Sequence, residues 1–221
     1  MKCMLLSAGL GKRLRPLTHQ TPKPLVKLAG KSLIEHHLER LAGAGYEEIV
    51  INLSYLGDQI KQQLQDGRRH GVRIEYSHEG EQPLGTGGGI IHALPLLGNK
   101  PFLVISSDIW CDHPLSFPEL EQDMAHLILV DNPPHHPEGD FVYQSGKVYN
   151  TGKSFLTFSG IGVYTPELFR NRSTRQLALA PLLHSAVEQG HVSAEYYTGQ
   201  WFDIGTAERL KQAEIFFSEA G

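Results

Sequence analysis

The sequence predicts an α/β fold in three layers, a mostly parallel central sheet with helices on both faces. Three observations lead there. Apolar runs of strand length alternate with segments of helical periodicity along almost the whole chain. One run, Phe102-Leu103-Val104-Ile105, is apolar at every position, as a strand buried on both faces requires. The 221 residues show no linker, internal repeat or low-complexity tract, so residues 1–221 read as one domain with a proper core.

The elements follow in order. Lys2 to Leu6 is the first strand and runs straight into a glycine-bearing loop. Leu33 to Leu41 is a helix, because Leu33, Ile34, Leu38 and Leu41 share one face and Glu35, Glu39 and Arg40 the other; Gly43 and Gly45 end it. Glu48 to Leu53 is the second strand. Asp58 caps a helix carrying Ile60 and Leu64, which Gly67 or Gly71 stops. Val72 to Tyr76 is a third strand, and Thr86 to Leu97 a helix that starts on glycines. After Phe102–Ile105 comes a strand at His126 to Val130. Residues 131–157 form a polar loop with a small hairpin, Phe141-Val142-Tyr143 and Lys147-Val148-Tyr149, turned by Ser145-Gly146. Thr157 to Tyr164 is extended, Leu177 to Val187 helical, Ala194 to Tyr197 extended and Trp201 to Ile204 a short strand. Thr206 caps a last helix with Leu210, Ala213 and Phe217 inward.

Composition narrows the function. A formal net charge of −4 gives no electrostatic case for a nucleic-acid partner. Cys3 and Cys111 are too few for a disulfide framework and fit a reducing compartment, so a cytoplasmic protein is expected. The N-terminus has the single Lys and short apolar run of a buried strand rather than of a signal peptide. No apolar stretch approaches the ~20 residues of a membrane span. The histidines show no zinc-ligand spacing, and the adjacent pair His135-His136 reads as loop, since neighbours on an extended chain point opposite ways.

Chemistry concentrates in Leu5 to Leu25, LLSAGLGKRLRPLTHQTPKPL. Ser7-Ala8-Gly9 and Gly11 let backbone N–H groups approach a polyphosphate closely, and Lys12, Arg13, Arg15 and Lys23 supply positive charge. Pro16, Pro22 and Pro24 stiffen the loop that carries them. It is not a Walker A loop, because Leu6 stands where the first glycine belongs and Arg13 where the hydroxyl belongs. Nor is it a dinucleotide fingerprint, because Leu14 fills the third glycine. Asp108 directly follows the central strand, where ligands bind in open α/β sheets, though the position also suits a helix cap. Asp203 precedes the last helix, whose cap Thr206 already provides. At Asp108 a carboxylate is well placed to hold Mg²⁺ on a triphosphate.

Taken whole, Leu6-Ser7-Ala8-Gly9-Leu10-Gly11-Lys12-Arg13, Pro16-Leu17-Thr18 and Pro22-Lys23-Pro24-Leu25 resemble the signature of the sugar-1-phosphate nucleotidyltransferases. Pro83-Leu84-Gly85-Thr86-Gly87-Gly88-Gly89 and Trp201-Phe202-Asp203-Ile204-Gly205-Thr206 resemble two further blocks of that family. Ser7 and Ser107 depart from it, each standing where a smaller residue is usual. The resemblance implies a nucleotide-diphospho-sugar transferase (Rossmann-like) fold. It implies catalytic roles for Arg13 and Lys23 on the phosphates of a nucleoside triphosphate. Nucleotide binding would fall to Ala8, Gly9, Gly11, Lys12, Arg13, Lys23, Gly85 and Thr86, with Gln82, from the candidates Glu79, Glu81 and Gln82, reading the base. The cofactor would be Mg²⁺ on Asp108 and Asp203. The sugar would meet Ser106, Asp140, Lys153, Ser159 and Gly160.

Finer details, Val130-Asp131-Asn132-Pro133, His135-His136-Pro137, Gly139-Asp140-Phe141 and Thr157-Phe158-Ser159-Gly160-Ile161, resemble the branch of the family that joins UTP to N-acetylmuramate 1-phosphate in cell-wall recycling. That implies UTP and a sugar 1-phosphate as the partners, and a UDP-sugar and pyrophosphate as products. The hexapeptide repeats of members with a C-terminal β-helix are missing, so a single catalytic domain, monomeric or weakly dimeric, is expected. Two alternatives stay open at this point. One is guanylyl or thymidylyl transfer to a mannose, glucose or GlcNAc-type 1-phosphate. The other is an inactive sugar-nucleotide-binding regulatory subunit, which the presence of both cations and both aspartates disfavours.

Overall fold

Side chains alternate across a strand, so an apolar run buries two faces at once, and this builds the three layers. The computed structural model describes residues 1–173 and 176–219. In chain order come β1 (Cys3–Leu6), the small hairpin of β2 (Lys27–Leu28) and β3 (Lys31–Ser32), α1 (Leu33–Gly43), β4 (Glu48–Leu53) and α2 (Gly57–Leu64). Next are β5 (Arg73–His78), α3 (Gly85–Leu97), β6 (Phe102–Ser106), β7 (Ile109–Cys111), β8 (Ala125–Val130), β9 (Phe141–Gln144) and β10 (Lys147–Tyr149). The chain continues with β11 (Phe155–Tyr164), α4 (Ala180–Glu188), β12 (Val192–Tyr196), β13 (Trp201–Asp203) and α5 (Ala207–Glu219). Met4, Val50, Phe102 and Val104 face α3 and α4. Their neighbours Cys3, Leu5, Ile49, Ile51, Leu103 and Ile105 face α1 and α2. A third cluster, Val26, Leu28 and Leu33 with Ile204, Leu210 and Ala213, docks α5 beside the small hairpin.

The sheet has nine strands in the order β5-β4-β1-β6-β11-β8-β12-β10-β9. The predicted parallel pairing holds for β5-β4-β1-β6 and for β8-β12. From β11 onward the sheet is mixed. No crossover helix separates β9, β10 and β11: β9 and β10 form a hairpin, and β11 lies antiparallel to β6, β8 and β9. The β9–β11 pairing also closes the second half of the sheet on itself.

Helix boundaries differ from expectation for tertiary reasons. Asp58 lies in the first turn of α2 rather than at its cap, which Leu56 occupies with a left-handed φ of 54°. The helix predicted from Leu177 starts only at Ala180, because Leu177 is bound to α3: its N–H donates to Leu84 O (2.8 Å) and its carbonyl accepts from Gly88 N–H (3.0 Å). This contact also demands Gly85. Its φ is +76°, and a Cβ there would stand 2.7 Å from Leu177 O. Among the described residues no helix is long and apolar enough to cross a membrane.

One buried group makes stability depend on pH. His37 lies on the buried face of α1, and burial pushes its imidazole down to about 4, helped by Arg40 and opposed by a hydrogen bond to the Ile109 backbone. The unfolded chain takes up this proton near pH 6.5, the folded chain only near 4. Its contribution is therefore complete above pH 6.5 and is lost as pH falls toward 4, at up to about 1.4 kcal/mol per pH unit. Buried His113 and His126 shift in the same direction. We expect the urea-unfolding free energy to fall between pH 6.5 and 4.5, and His37→Met to flatten part of that slope. A profile flat from 6.5 to 5 would contradict it.

Candidate active site

Parallel β1 and β6 lie side by side in register, with Leu6 beside Ser106. Both strands end there, and ligands in open α/β sheets bind outside such carboxyl ends. A cleft opens at that edge in two lobes. The first, about 260 Å³, is lined by Ala8, Gly9, Lys23, Asn52, Glu79 and Gly85 among others. The second, about 490 Å³, is lined by Arg13, His135, His136, Asp140, Ser159 and Asp203 among others. Leu6, Thr86, Ser106 and Asp108 border both.

The loop after β1 is held by its own hydrogen bonds. Thr18 Oγ1 donates to Gly11 O (2.7 Å), and Leu14 N–H donates to the same carbonyl (2.9 Å). Gly11 has φ +60° and packs so tightly that a Cβ would fall 2.9 Å from Thr18 Cγ2 and 3.3 Å from Lys23 Cβ. Gly11 thus shapes the loop without lining the cleft, and Lys12 points outward, exposed. Arg13 is exposed at the mouth of the second lobe and forms no salt bridge with a described residue.

The two serines that depart from the resemblance border the first lobe, and each hydroxyl is bonded to a backbone carbonyl. Ser107 Oγ donates to Leu6 O (2.6 Å), and Ser7 Oγ donates to Leu5 O (3.4 Å). A network forms the far wall of that lobe: Ser7 N–H donates to Asn52 Oδ1 (2.6 Å), Asn52 Nδ2 to Glu79 Oε1 (2.6 Å), and Leu84 N–H to Glu79 Oε2 (2.7 Å). Gln82 is exposed and does not line the lobe, whereas Glu79 does. Asn52 has a sequence signal only in retrospect, as the one polar residue in the interior of Glu48–Leu53.

Asp108 and Asp203 meet through backbone pairing. Asp108 leads into β7 rather than a helix, which removes the cap reading. β7 pairs with β13 so that Ile109 lies opposite Asp203, and Ile204 N–H donates to Asp108 O (2.8 Å). Both carboxylates line the second lobe. Each already carries a cation: Lys23 Nζ is 2.6 Å from Asp108 Oδ2, and Arg209 Nη1 is 2.6 Å from Asp203 Oδ2. His135 Nε2 stands 3.2 Å from that Asp203 oxygen and beside Arg209. These two oxygen donors suit a hard divalent cation completed by phosphate oxygens. Among the described residues no group of three or more His, Cys, Asp or Glu offers an alternative.

The second lobe is shaped by a bulge. Phe158 pairs with Leu129 and Gly162 with Leu127, so Ser159, Gly160 and Ile161 all stand opposite Ile128. The extra residues turn Ser159 and Gly160 into the cleft. Trp201 Nε1 donates to Ser159 O (2.9 Å), tying the bulge to β13. Asp140 is fixed by the Phe158 N–H (2.8 Å) and by His136 Nε2 (3.1 Å). Lys153 is exposed and stands outside the lining.

Residues 2–131 match the family model described as nucleotidyl transferase. The chain belongs to that family. The match takes in Arg13, Lys23, Glu79 and Asp108, whereas His135, Asp140, Ser159 and Asp203 lie beyond it. Full-length similarity covers those too. The chain is 48% identical to an N-acetylmuramate alpha-1-phosphate uridylyltransferase of Neisseria meningitidis serogroup B, over 97% of each chain. It is 34% identical to a protein of the same name from Caulobacter vibrioides, over 98% of this chain and 97% of that one. In structure it resembles a Bacillus anthracis protein assigned as a glucose-1-phosphate thymidylyltransferase and solved with sucrose. The TM-score is 0.85 over 98% of this chain and 94% of that one, at 22% identity, a likeness of fold alone.

Proposed function

We propose that this nucleotidyl transferase joins UTP and N-acetylmuramate 1-phosphate, giving UDP-N-acetylmuramate and pyrophosphate. The observation that carries the reaction is the junction of the two lobes, where Lys23, Asp108 and Arg13 face one cleft. The substrate pair rests on the end-to-end similarity to two uridylyltransferases of that name. A phosphate oxygen of the sugar 1-phosphate attacks the α-phosphorus of UTP, the bond to the β-phosphate oxygen breaks, and pyrophosphate leaves. No covalent intermediate is needed, so the work is positioning and charge stabilisation. Lys23 neutralises the approaching phosphates, and Arg13 receives the charge that builds on the departing pyrophosphate. Asp108 and Asp203 hold Mg²⁺, which supplies Lewis-acid charge stabilisation when bound. The bridged pair Asn52–Glu79 faces the uracil, with Ala8, Gly9 and Gly85 beneath it. A reducing cytoplasm and cell-wall recycling are the setting this substrate implies.

The sugar lobe must take the lactyl carboxylate that distinguishes N-acetylmuramate from N-acetylglucosamine. His136 is committed to Asp140, which would repel a second carboxylate. Of the other basic wall residues, Arg13 is given to the pyrophosphate and His184 is bonded to Asn150, so we assign that group to His135, which has the Arg209 guanidinium beside it. A charged hydrogen bond of this kind contributes roughly 1.5–3 kcal/mol. A pyrophosphate-release screen over four nucleoside triphosphates and a panel of sugar 1-phosphates tests the reading. UTP with N-acetylmuramate 1-phosphate is expected to give the highest kcat/KM, and His135→Ala to lower it about tenfold more than the value for GlcNAc 1-phosphate. Equal use of GlcNAc 1-phosphate by the native protein would sink the muramate assignment. No pyrophosphate with any pair would sink the enzyme reading.

A further inference from the structure

We propose, resting on the assignment of Asp108 and Asp203 as metal carboxylates, that Lys23 and Arg209 are resident counter-ions that keep the free protein's metal affinity low until a polyphosphate arrives. Each carboxylate holds one cation at 2.6 Å. The pairs are well shielded: the Lys23 and Arg209 side chains are 10% and 13% exposed, and Asp203 is 20% exposed. Asp108, at 36%, is the more open.

A divalent ion that approaches these oxygens meets two positive charges already in place. Moving Lys23 off Asp108 without a substitute leaves a nearly buried ammonium unpaired, which is costly. A triphosphate supplies new acceptor oxygens for that ammonium, so metal and nucleotide each raise the other's affinity, as linkage requires. Arg209 acts on the second carboxylate. It rises from the first turn of α5, its Nε is 3.3 Å from Thr206 Oγ1, and its guanidinium lies across Gly205, where a Cβ would overlap it. The glycine of the Trp201–Thr206 block thereby makes room for this cation. Arg209 works through Asp203, so it is a positioning residue rather than a catalytic one.

Binding of Mn²⁺ to the whole protein, followed by the electron paramagnetic resonance of free Mn²⁺ without sugar phosphate, tests this with no turnover involved. Arg209→Met and Lys23→Met are each expected to raise the affinity for Mn²⁺ alone about tenfold or more. Arg209→Lys, which keeps the charge, is expected to stay within about threefold of the native protein. Arg209→Gln keeps hydrogen bonding to Asp203 while removing the charge; it should match Arg209→Met and guards against a folding defect, checked by circular dichroism. Unchanged or weaker Mn²⁺ binding in the folded neutral variants overturns the proposal, and a rise in only one residue's variants overturns it for the other. Adding Asp203→Asn to Arg209→Met separates the two readings. If the extra Mn²⁺ affinity survives that change, the metal assignment itself has failed; if it vanishes, the assignment stands.

Discussion

Asparagine in place of Asp203 is expected to lower kcat about a thousandfold, roughly 4 kcal/mol of barrier, and the same change at Asp108 to do at least as much. Asn keeps the shape of the side chain and one acceptor oxygen but loses the formal charge. In a site that works by gathering charge around phosphates, that charge is most of the side chain's contribution. Both variants should also lose stability. Asp203→Asn leaves the Arg209 guanidinium, only 13% exposed, beside His135 without its carboxylate, and should lose about 1–2 kcal/mol. Asp108→Asn removes the charge partner of Lys23, whose side chain is only 10% exposed, and should lose about 1–2 kcal/mol. Turnover must therefore be measured well below the melting range, across a Mg²⁺ titration. Near-native activity at limiting Mg²⁺ in either variant would refute the role given to that aspartate.

Arg13→Ala is the second large effect: kcat should drop about a hundredfold or more while the KM for UTP rises much less. Arg13 is exposed and forms no salt bridge with a described residue, so truncation leaves nothing buried behind it and should leave stability unchanged. Its loop is held by Thr18 and Gly11 rather than by the guanidinium, so the remaining cleft keeps its shape. Charge grows on pyrophosphate as it departs, and a group that meets growing charge stabilises the transition state more than the bound substrate. An unchanged kcat with a raised KM would make Arg13 a uniform binding residue instead.

Much of the site is legible because its parts are contiguous in sequence. Arg13 and Lys23 share one proline-stiffened loop, and Asp203 sits in one six-residue block with the cap of its helix. Asp108 is legible because it ends a run apolar on both faces, which places it at a sheet edge. The wall of the first lobe is less so. Glu79, Glu81 and Gln82 are polar residues within four positions of one another, and only the hydrogen bonds of Glu79 to Asn52 and Leu84 distinguish the one that faces inward. Lys153 shows the same limit: a cation in a polar loop has no period to say which way it points.

The alternation of strands and helices, the two buried faces and the glycine- and proline-shaped loop after β1 were readable from the chain alone. Each of these depends on neighbours a few residues apart, where a period of 2 or 3.6 and the stereochemistry of glycine and proline decide the outcome. The tertiary structure alone decided the antiparallel β11, the closure by β9, the bulge that delivers Ser159 and Gly160, and the meeting of Asp108 with Asp203 across β7 and β13. It also decided why Gly85 is glycine, since the atom that excludes a side chain there belongs to Leu177. These contacts join segments far apart in the chain, and their register is chosen by packing, which local periodicity does not encode.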